Sequence, residues 1–260
     1  MNEPKSILIT GASSGIGAAL ALEYAAPGVH LALSGRDQAR LDEVAEGCRA
    51  QGADVDAALH DVTDRAAMRA WIGEVDSARP LDLVIANAGR SGGTATRGGE
   101  NEDQARAIFA TNFDGVLNTV WPAIDAMRAR TPNANGRRGQ IAITSSMAGL
   151  TPMPGAPAYS SSKVAVKAYA EALHGALKPE GIVVTAICPG FVESRITAQN
   201  NFPMPLLMDG PKAARIIRKG ITKGRVSVFF PWPVAAMTWL ISVLPPCWRV
   251  WVLSRAPKKS

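Results

Sequence analysis

The chain has 260 residues, 47% of them hydrophobic, and a formal net charge of +6. This length and apolar content suit a single sizeable hydrophobic core. The three cysteines, Cys48, Cys188 and Cys247, form no C-x-x-C pair and the three histidines show no metal-ligand spacing, which argues against a zinc ribbon, a disulfide framework or a metal site. Because the basic residues are mostly dispersed, nucleic-acid binding is also disfavoured.

Short apolar runs alternate with helical patterns along the chain. The predicted strands cover residues 6–10, 29–34, 54–59, 81–86, 140–144, 182–187 and 226–230. The predicted helices follow residue 17 and cover residues 38–50, 65–77, 102–130, 159–178 and 211–222. This order predicts an α/β fold: a doubly wound, seven-stranded parallel sheet of the Rossmann type with helices on both faces. Residues 1–260 are expected to form one domain that ends in an apolar tail, residues 231–260.

A glycine-rich turn separates the first predicted strand from the first predicted helix. It consists of Gly11, Ala12, Ser13, Ser14, Gly15, Ile16 and Gly17. Strand, glycine turn and helix are the context of a dinucleotide site, where the backbone approaches the pyrophosphate and the helix N-terminus offers N–H groups. An ordinary turn between a strand and a helix is the alternative.

A second pattern joins a serine, a tyrosine and a lysine. Ser146 follows the predicted strand 140–144, and Tyr159 and Lys163 stand four residues apart on a predicted helix, so that phenol and ammonium share one helix face. A nearby cation stabilises a phenolate, and Lys163 is therefore expected to lower the pKa of Tyr159. The triplet suits proton transfer to and from a carbonyl oxygen, with Ser146 hydrogen-bonding the same oxygen.

These patterns together resemble the short-chain dehydrogenase/reductase family in its single-domain branch. The family pattern T-G-x-x-x-G-x-G stands at residues 10–17, its Asn-Ala-Gly element is Asn87-Ala88-Gly89, and its Pro-Gly element is Pro189-Gly190. The resemblance covers about residues 5–230. It implies hydride transfer between a nicotinamide and a ketone, aldehyde or secondary alcohol, with Tyr159 as general acid and base.

The resemblance also implies individual roles. Lys163 would hold the nicotinamide ribose as well as assist Tyr159, and Asn112 would be a fourth catalytic residue, through a water that relays protons to Lys163. Further cofactor contacts would come from Asp61 and Val62 beside the adenine, Asn87, Ala88 and Gly89 near the ribose, and Pro189, Gly190, Val192 and Ser194 at the carboxamide. Turn formation is the alternative for the asparagine and the glycines.

The end of the second strand bears on the choice of cofactor. A carboxylate there binds the adenosine ribose, whereas an arginine accommodates a 2′-phosphate. Gly35 stands at the acidic position and Arg36 follows it, which favours NADP(H) over NAD(H). Asp37 could instead serve as the ribose acceptor, with Arg36 a solvated surface charge.

The C-terminal tail is apolar and rich in tryptophan. Residues 226–248 contain no charged residue, and residues 234–244 form a possible helix about half as long as a membrane span. Two interpretations remain open: packing on a partner subunit or over the substrate site, which we favour, and a peripheral membrane patch of Trp239, Trp248 and Trp251. Its flanking charges would be Arg249, Arg255, Lys258 and Lys259.

The expected partner is an apolar small-molecule carbonyl or alcohol. Residues 191–208 would cover it, and their apolar members are Phe202, Met204, Leu206, Leu207 and Met208. A homodimer or homotetramer is expected. The expected location is the cytoplasm, with peripheral membrane association as the alternative, because no apolar targeting run precedes the first strand. A non-catalytic NADP(H)-binding sensor and a membrane-associated scaffold are the alternative functions.

Overall fold

The structure is a computed structural model that describes residues 3–94, 99–198, 204 and 206–255. Its central element is a parallel sheet of β1 (Ser6–Thr10), β2 (His30–Gly35), β3 (Asp54–Leu59), β4 (Leu83–Ala86), β5 (Gly139–Thr144), β6 (Ile182–Pro189) and β7 (Ser227–Phe230). The strand order is β3-β2-β1-β4-β5-β6-β7. The order reverses between β1 and β4, and this is the point where open α/β sheets form their ligand crevice.

Helices cover both faces of the sheet. The first half of the chain provides α1 (Gly15–Tyr24), α2 (Gln38–Ala50), α3 (Arg65–Ala78), α4 (Glu102–Phe109) and α5 (Gly115–Ala129). The second half provides α6 (Pro157–Leu177), α7 (Arg195–Ala198), α8 (Gly210–Thr222), α9 (Trp232–Ser242) and α10 (Pro246–Leu253). One hydrophobic core lies between the sheet and α1, α2 and α8, and a second between the sheet and α3, α5 and α6.

The strand interiors explain this layering. Every residue of β1, β2 and β4 is buried, as the continuous apolar runs predict for strands covered on both faces. Helix starts follow the local chemistry: Asp37, Asp64 and Asp209 each accept a hydrogen bond from a first-turn N–H of α2, α3 and α8. The predicted fold class and all seven strands are confirmed, with some ends displaced by one or two residues.

Two helical predictions are wrong in detail, and two short helices, α7 and α10, were not predicted. The predicted helix 102–130 is divided by a π-helical turn, Ala110–Asp114, between α4 and α5. The tail helix begins at Trp232 rather than at residue 234, because prolines are tolerated in a first helical turn. A second tail helix, α10, starts at Pro246 for the same reason and was not predicted.

Candidate active site

A cleft with a volume of about 770 Å³ opens at the carboxyl ends of the central strands. Most predicted site residues line it: Gly11, Ser13, Ser14, Gly15, Ile16, Arg36, Asp61, Val62, Asn87, Ala88, Gly89, Ser146, Tyr159, Lys163, Pro189, Gly190, Val192 and Ser194. Gly17 and Asn112 are buried behind it. The sheet therefore brings together motifs that are far apart in the sequence.

The glycine turn is held in a shape that side chains would disturb. Gly11 and Gly15 have φ angles of +67° and +57°, in the left-handed region that favours glycine. A Cβ on Gly11 would lie 2.7 Å from Cα of Ala88, and a Cβ on Gly15 would lie 2.9 Å from Cβ of Ser194. The turn therefore brings bare backbone to the floor of the cleft, directly before the N-terminus of α1.

Asn87 fastens the end of β4 to this turn. Its Nδ2 donates to the carbonyl oxygens of Thr10 and Gly11 at 3.1 and 3.3 Å, and its Oδ1 accepts from the Thr144 hydroxyl at 3.3 Å. The backbone N–H groups of Asn87 and Ala88 donate to the Thr10 hydroxyl at 3.0 and 3.2 Å. The Asn87 side chain thus ties three strand ends together, a structural role that accompanies its place in the cleft wall.

Asn112 lies in the π-helical turn and is fully buried. Its Oδ1 accepts from the Arg90 N–H at 2.7 Å, while its Nδ2 donates to the Arg90 carbonyl and the Ser162 hydroxyl, each at 2.9 Å. The amide therefore positions the segment after β4 against α6. Single π-helical turns occur frequently at functional sites, and this one interrupts the predicted long helix next to the cleft.

Ser146, Tyr159 and Lys163 meet on one side of the cleft. Ser146 follows β5, and its side chain hydrogen-bonds Tyr159 from α6. One helical turn along α6, the Lys163 ammonium lies 6.0 Å from the centroid of the tyrosine ring. Its Nζ donates to the Thr144 carbonyl oxygen at 2.9 Å. The spacing that predicted a shared helix face is therefore realised, with Ser146 arriving from the neighbouring strand.

Burial controls how these groups titrate. It raises the pKa of Tyr159, and the hydrogen bond from Ser146 acts in the opposite direction. Burial also lowers the pKa of Lys163 from 10.5 to about 8. The expectation that Lys163 lowers the pKa of Tyr159 is therefore not met in the protein alone, where desolvation of the phenol is the larger influence.

The residues after β2 line the part of the cleft that is expected to determine the choice between NADP(H) and NAD(H). Arg36 is exposed, and its Nη1 lies 3.9 Å from Oδ2 of Asp61. The Asp37 carboxylate caps α2 through the Arg40 N–H at 3.2 Å and pairs with the Arg40 guanidinium at 2.7 Å. A Cβ on Gly35 would lie 2.9 Å from Cβ of Ser13. Ser13 therefore leaves no room for an acidic side chain at position 35, and the Asp37 carboxylate is bound to Arg40.

Asp61 is itself held by a local turn. Its Oδ1 accepts from the Thr63 N–H at 2.9 Å and from the Thr63 hydroxyl at 2.8 Å. The backbone hydrogen bond is the largest influence on its pKa, which is lowered. The carboxylate is therefore ionised at neutral pH and fixed at the mouth of the cleft, beside Arg36.

Backbone hydrogen bonds join the beginning and the end of the segment that follows β6. The Met208 N–H donates to the Phe191 carbonyl at 3.0 Å, and the Glu193 N–H donates to the Met208 carbonyl at 2.9 Å. Met208 belongs to the hydrophobic core, and it is therefore not available to the substrate as predicted. Leu206 and Leu207 are exposed, whereas Phe202 lies outside the described residues.

Several cleft residues were not found by sequence reasoning. Arg40 lines the cleft, and its buried Nε atom has no hydrogen-bond partner among the described residues. Thr197 ties the segment after β6 together, since its hydroxyl donates to the Val192 and Ser194 carbonyls at 2.8 and 2.9 Å. The sequence signal for Arg40 is its position four residues after Arg36, in the first turn of α2. No comparable sequence signal marks Thr197.

Comparison with known proteins agrees with the geometry. The profile of the short chain dehydrogenase family matches residues 5–204. A relative from Myxococcus xanthus (strain DK1622), named only as an uncharacterized oxidoreductase, is 39% identical over 93% of each chain.

Two solved structures share the fold. A short-chain dehydrogenase from Sphingobium yanoikuyae in complex with NADPH is 25% identical, with a TM-score of 0.76 over 93% of this chain and 96% of that one. A Burkholderia phymatum short chain dehydrogenase/reductase in complex with NAD is 23% identical, with a TM-score of 0.82 over 100% of this chain and 99% of that one.

The family profile covers most of the chain, and the Myxococcus relative aligns over nearly the whole length of both proteins. The chain therefore belongs to the short-chain dehydrogenase/reductase family and is an oxidoreductase of that family.

Proposed function

We propose that this enzyme interconverts an apolar ketone or aldehyde and the corresponding alcohol with NADP(H), and that Tyr159 is its general acid and base. One observation carries the proposal: the cleft beside the glycine turn also contains Tyr159, Ser146 and Lys163, with the tyrosine and serine hydrogen-bonded to each other. A nucleotide-binding floor and a proton-transfer group at the same cleft suit redox chemistry on a carbonyl.

The cleft fits a dinucleotide. The bare backbone at Gly11 and Gly15 leaves room for a pyrophosphate, and the N-terminus of α1 beside it supplies N–H groups and a positive dipole end. Asp61 and Val62 would adjoin the adenine, Asn87, Ala88 and Gly89 the ribose, and Pro189, Gly190, Val192 and Ser194 the nicotinamide end. When bound, the nicotinamide supplies or accepts the hydride.

The protein's own groups manage the proton. During reduction the Tyr159 hydroxyl donates a proton to the carbonyl oxygen, and Ser146 stabilises the charge that develops on the same atom. The raised pKa of Tyr159 keeps the phenol protonated near neutral pH, as a proton donor requires. Lys163 then favours the phenolate that remains, and Asn112 supports the surrounding backbone through Arg90 and Ser162.

The preference for NADP(H) is supported by three local features. Ser13 leaves no space for an acidic side chain at position 35, and Asp37 is engaged by the start of α2. Arg36 and Arg40 both line the cleft, and Arg40 has a buried Nε atom without a partner among the described residues. Guanidinium groups bind phosphate through charge-assisted hydrogen bonds, so Arg36 and Arg40 suit the binding of an adenosine 2′-phosphate.

An apolar substrate is supported by the exposed leucines at positions 206 and 207, on the segment that the family resemblance places over the substrate. The cytoplasmic location, the single domain over residues 1–260 and assembly into a homodimer or homotetramer stay predictions from the sequence.

The test is Tyr159→Phe, which keeps the ring and removes the hydroxyl. We expect NADPH binding, measured by fluorescence titration, to stay within about two-fold of wild type, while kcat on a panel of apolar ketones falls by roughly 10²-fold or more. Near-normal turnover would remove Tyr159 from the mechanism. Wild-type binding of NADPH without turnover of any carbonyl or alcohol would favour the sensor instead.

A further inference from the structure

The tail helices present an unusually large apolar surface. We call α9 and α10, residues 232–253, the tail platform. No residue of α9 is buried and none is charged. Eight large apolar side chains of the platform are more than half exposed: Trp232, Met237, Trp239, Leu240, Val243, Trp248, Val250 and Trp251. Contiguous exposed apolar surface of this kind marks a site that binds a protein or a membrane.

The platform is tied together by its own contacts. The Arg249 guanidinium on α10 donates to the Ser242 carbonyl at the end of α9, at 3.0 Å. Trp248 and Trp251 pack edge to face with ring centroids 6.4 Å apart. The Arg255 guanidinium lies 3.7 Å above the Trp251 ring. Tryptophan and arginine side by side give a surface whose body is apolar and whose rim is cationic.

The positive charge of the C-terminal region favours an anionic bilayer over a second copy of the chain as the partner of the platform. Residues 210–260 contain 10 of the 28 lysines and arginines and no aspartate or glutamate, whereas the first 209 residues contain the other 18 with all 22 acidic residues. Not all of this charge lies on the platform, since Arg218 of α8 is paired with Glu23. The charged residues on and directly after the platform, within residues 226–255, are Arg249 and Arg255, both positive. A second copy would bring these like charges together, which is unfavourable, and an anionic bilayer would attract them. Such an asymmetry along a chain is typical of nucleic-acid or membrane binding.

The dimensions indicate that the platform lies on a bilayer surface. α9 has 11 residues, which spans about 16 Å at the rise of an α-helix, roughly half of a hydrocarbon core. Among the described residues, no helix combines the length and apolarity needed to cross a membrane. Tryptophan favours the boundary between lipid tails and headgroups, where its ring is apolar and its N–H can be hydrated.

The platform also adjoins the candidate active site. Pro231, directly before α9, lies so close to Gly190 that a Cβ on this glycine would be 3.0 Å from the proline Cδ. α9 contacts the short turn Met147–Gly149, which follows Ser146. A surface that receives α9 would therefore lie beside the rim of the cleft.

We infer that the tail platform docks the enzyme on the surface of an anionic phospholipid bilayer, and that lipophilic substrate enters the cleft from that side. The second part rests on the proposed carbonyl chemistry, whereas the docking does not. Docking on a bilayer replaces the earlier expectation that the tail packs on a partner subunit or over the substrate site.

The experiment is vesicle flotation of the full chain. The vesicles are phosphatidylcholine alone, or with roughly one quarter phosphatidylglycerol. The variant Trp239→Ser with Leu240→Ser alters two exposed side chains, 56% and 59% accessible. Its matched control, Leu22→Ser with Leu59→Ser, alters two exposed leucines outside the tail. Circular dichroism and NADPH titration verify that both double variants are folded.

We expect wild type and the control to float with anionic vesicles about ten-fold more than with neutral ones, and the tail variant to lose this binding by about ten-fold. Binding should weaken as salt rises. Absence of binding to anionic vesicles, or binding that the tail variant retains, would overturn the inference. Self-association that the tail variant abolishes, without vesicle binding, would also overturn it and assign the face to a second copy.

Turnover measurements with two kinds of ketone test the entry of substrate from the bilayer separately from the proposed carbonyl chemistry. With a water-soluble ketone the tail variant should match wild type, whereas with a long-chain ketone dissolved in anionic vesicles its apparent KM should rise by about ten-fold. An unchanged KM for the vesicle-dissolved ketone would overturn the entry of substrate from the bilayer. Vesicle binding by an enzyme that reduces no carbonyl would instead refute the proposed function and leave the docking intact.

Discussion

The ammonium of Lys163 donates a 2.9 Å hydrogen bond to the carbonyl oxygen of Thr144, at the end of the strand that leads to Ser146. This bond joins α6, which carries Tyr159, to β5. It also holds the charged end of Lys163 inside the protein, where only 4% of the residue is exposed. Burial lowers the pKa of Lys163 to about 8, so the hydrogen bond that orders the site also holds a cation where charge is costly.

This burial predicts a pH dependence of stability. In the folded, cofactor-free enzyme Lys163 releases its proton near pH 8, whereas in the unfolded chain it keeps the proton to about pH 10.5. Between these values the unfolded state binds more protons, so raising the pH should stabilise the folded state. Relative to Lys163→Met, wild type should gain up to roughly 3 kcal/mol across this interval.

Urea unfolding of both proteins at several pH values, ending just below pH 10, measures this difference. Other titrating groups are common to both proteins and cancel in the comparison. A wild-type stability that runs parallel to that of Lys163→Met over the whole interval would show that Lys163 keeps its ordinary pKa.

Much of this fold could be predicted because its signals are local. The apolar run at residues 6–10 matches β1 to the residue, since buried parallel strands read as continuous apolar segments. Residues 54–59 also match β3 to the residue, although this edge strand contains two aspartates and is only partly buried. The glycine turn and the spacing of Tyr159 and Lys163 are also local patterns. The meeting of Ser146 with Tyr159 was expected because Ser146 lies at the end of the predicted strand directly before the helix that carries Tyr159.

What the sequence could not supply depends on contacts between distant segments. The collision between position 35 and Ser13 exists only because β1 and β2 are neighbours. The direction of the Tyr159 pKa shift depends on burial, which the spacing of Tyr159 and Lys163 does not reveal. The division of the helix at Ala110–Asp114 follows no strong propensity signal, and there tertiary contacts of Asn112 stabilise the π-helical turn.

Arg36→Ala tests the proposed phosphate contact. Hydrogen bonds to charged groups contribute about 1.5–3 kcal/mol, so the Kd for NADPH should rise by roughly 10- to 150-fold. The Kd for NADH should stay within about two-fold, because that cofactor has no 2′-phosphate. Arg106→Ala is the control for lost net charge, since Arg106 is exposed and pairs with Glu102 on its own helix. Equal weakening of both cofactors by Arg36→Ala would contradict a phosphate-specific role.

Gly35→Asp combined with Ser13→Gly tests the steric account of cofactor choice. Gly35→Asp alone should bind both cofactors poorly, because its Cβ would lie 2.9 Å from that of Ser13. Removing the Ser13 side chain makes room, and the double variant should favour NADH over NADPH by about ten-fold or more relative to Ser13→Gly alone. If Gly35→Asp alone bound NADH as well as the double variant does, the collision with Ser13 would not determine the preference.

Ser146→Ala tests the hydrogen bond between Ser146 and Tyr159. This bond lowers the pKa of Tyr159, against the rise caused by burial, so its loss should raise that pKa further. In alcohol oxidation the phenolate accepts the proton, and the rise of kcat with pH should therefore move to higher pH in the variant. Its kcat should also fall by about 10²-fold or more, because the donor that stabilises the substrate oxygen is lost.

Ser146→Thr keeps a hydroxyl and should restore most of the activity and the original pH profile. A pH profile of Ser146→Ala identical to wild type, with only a lower kcat, would show that Ser146 acts on the substrate oxygen without influencing the titration of Tyr159.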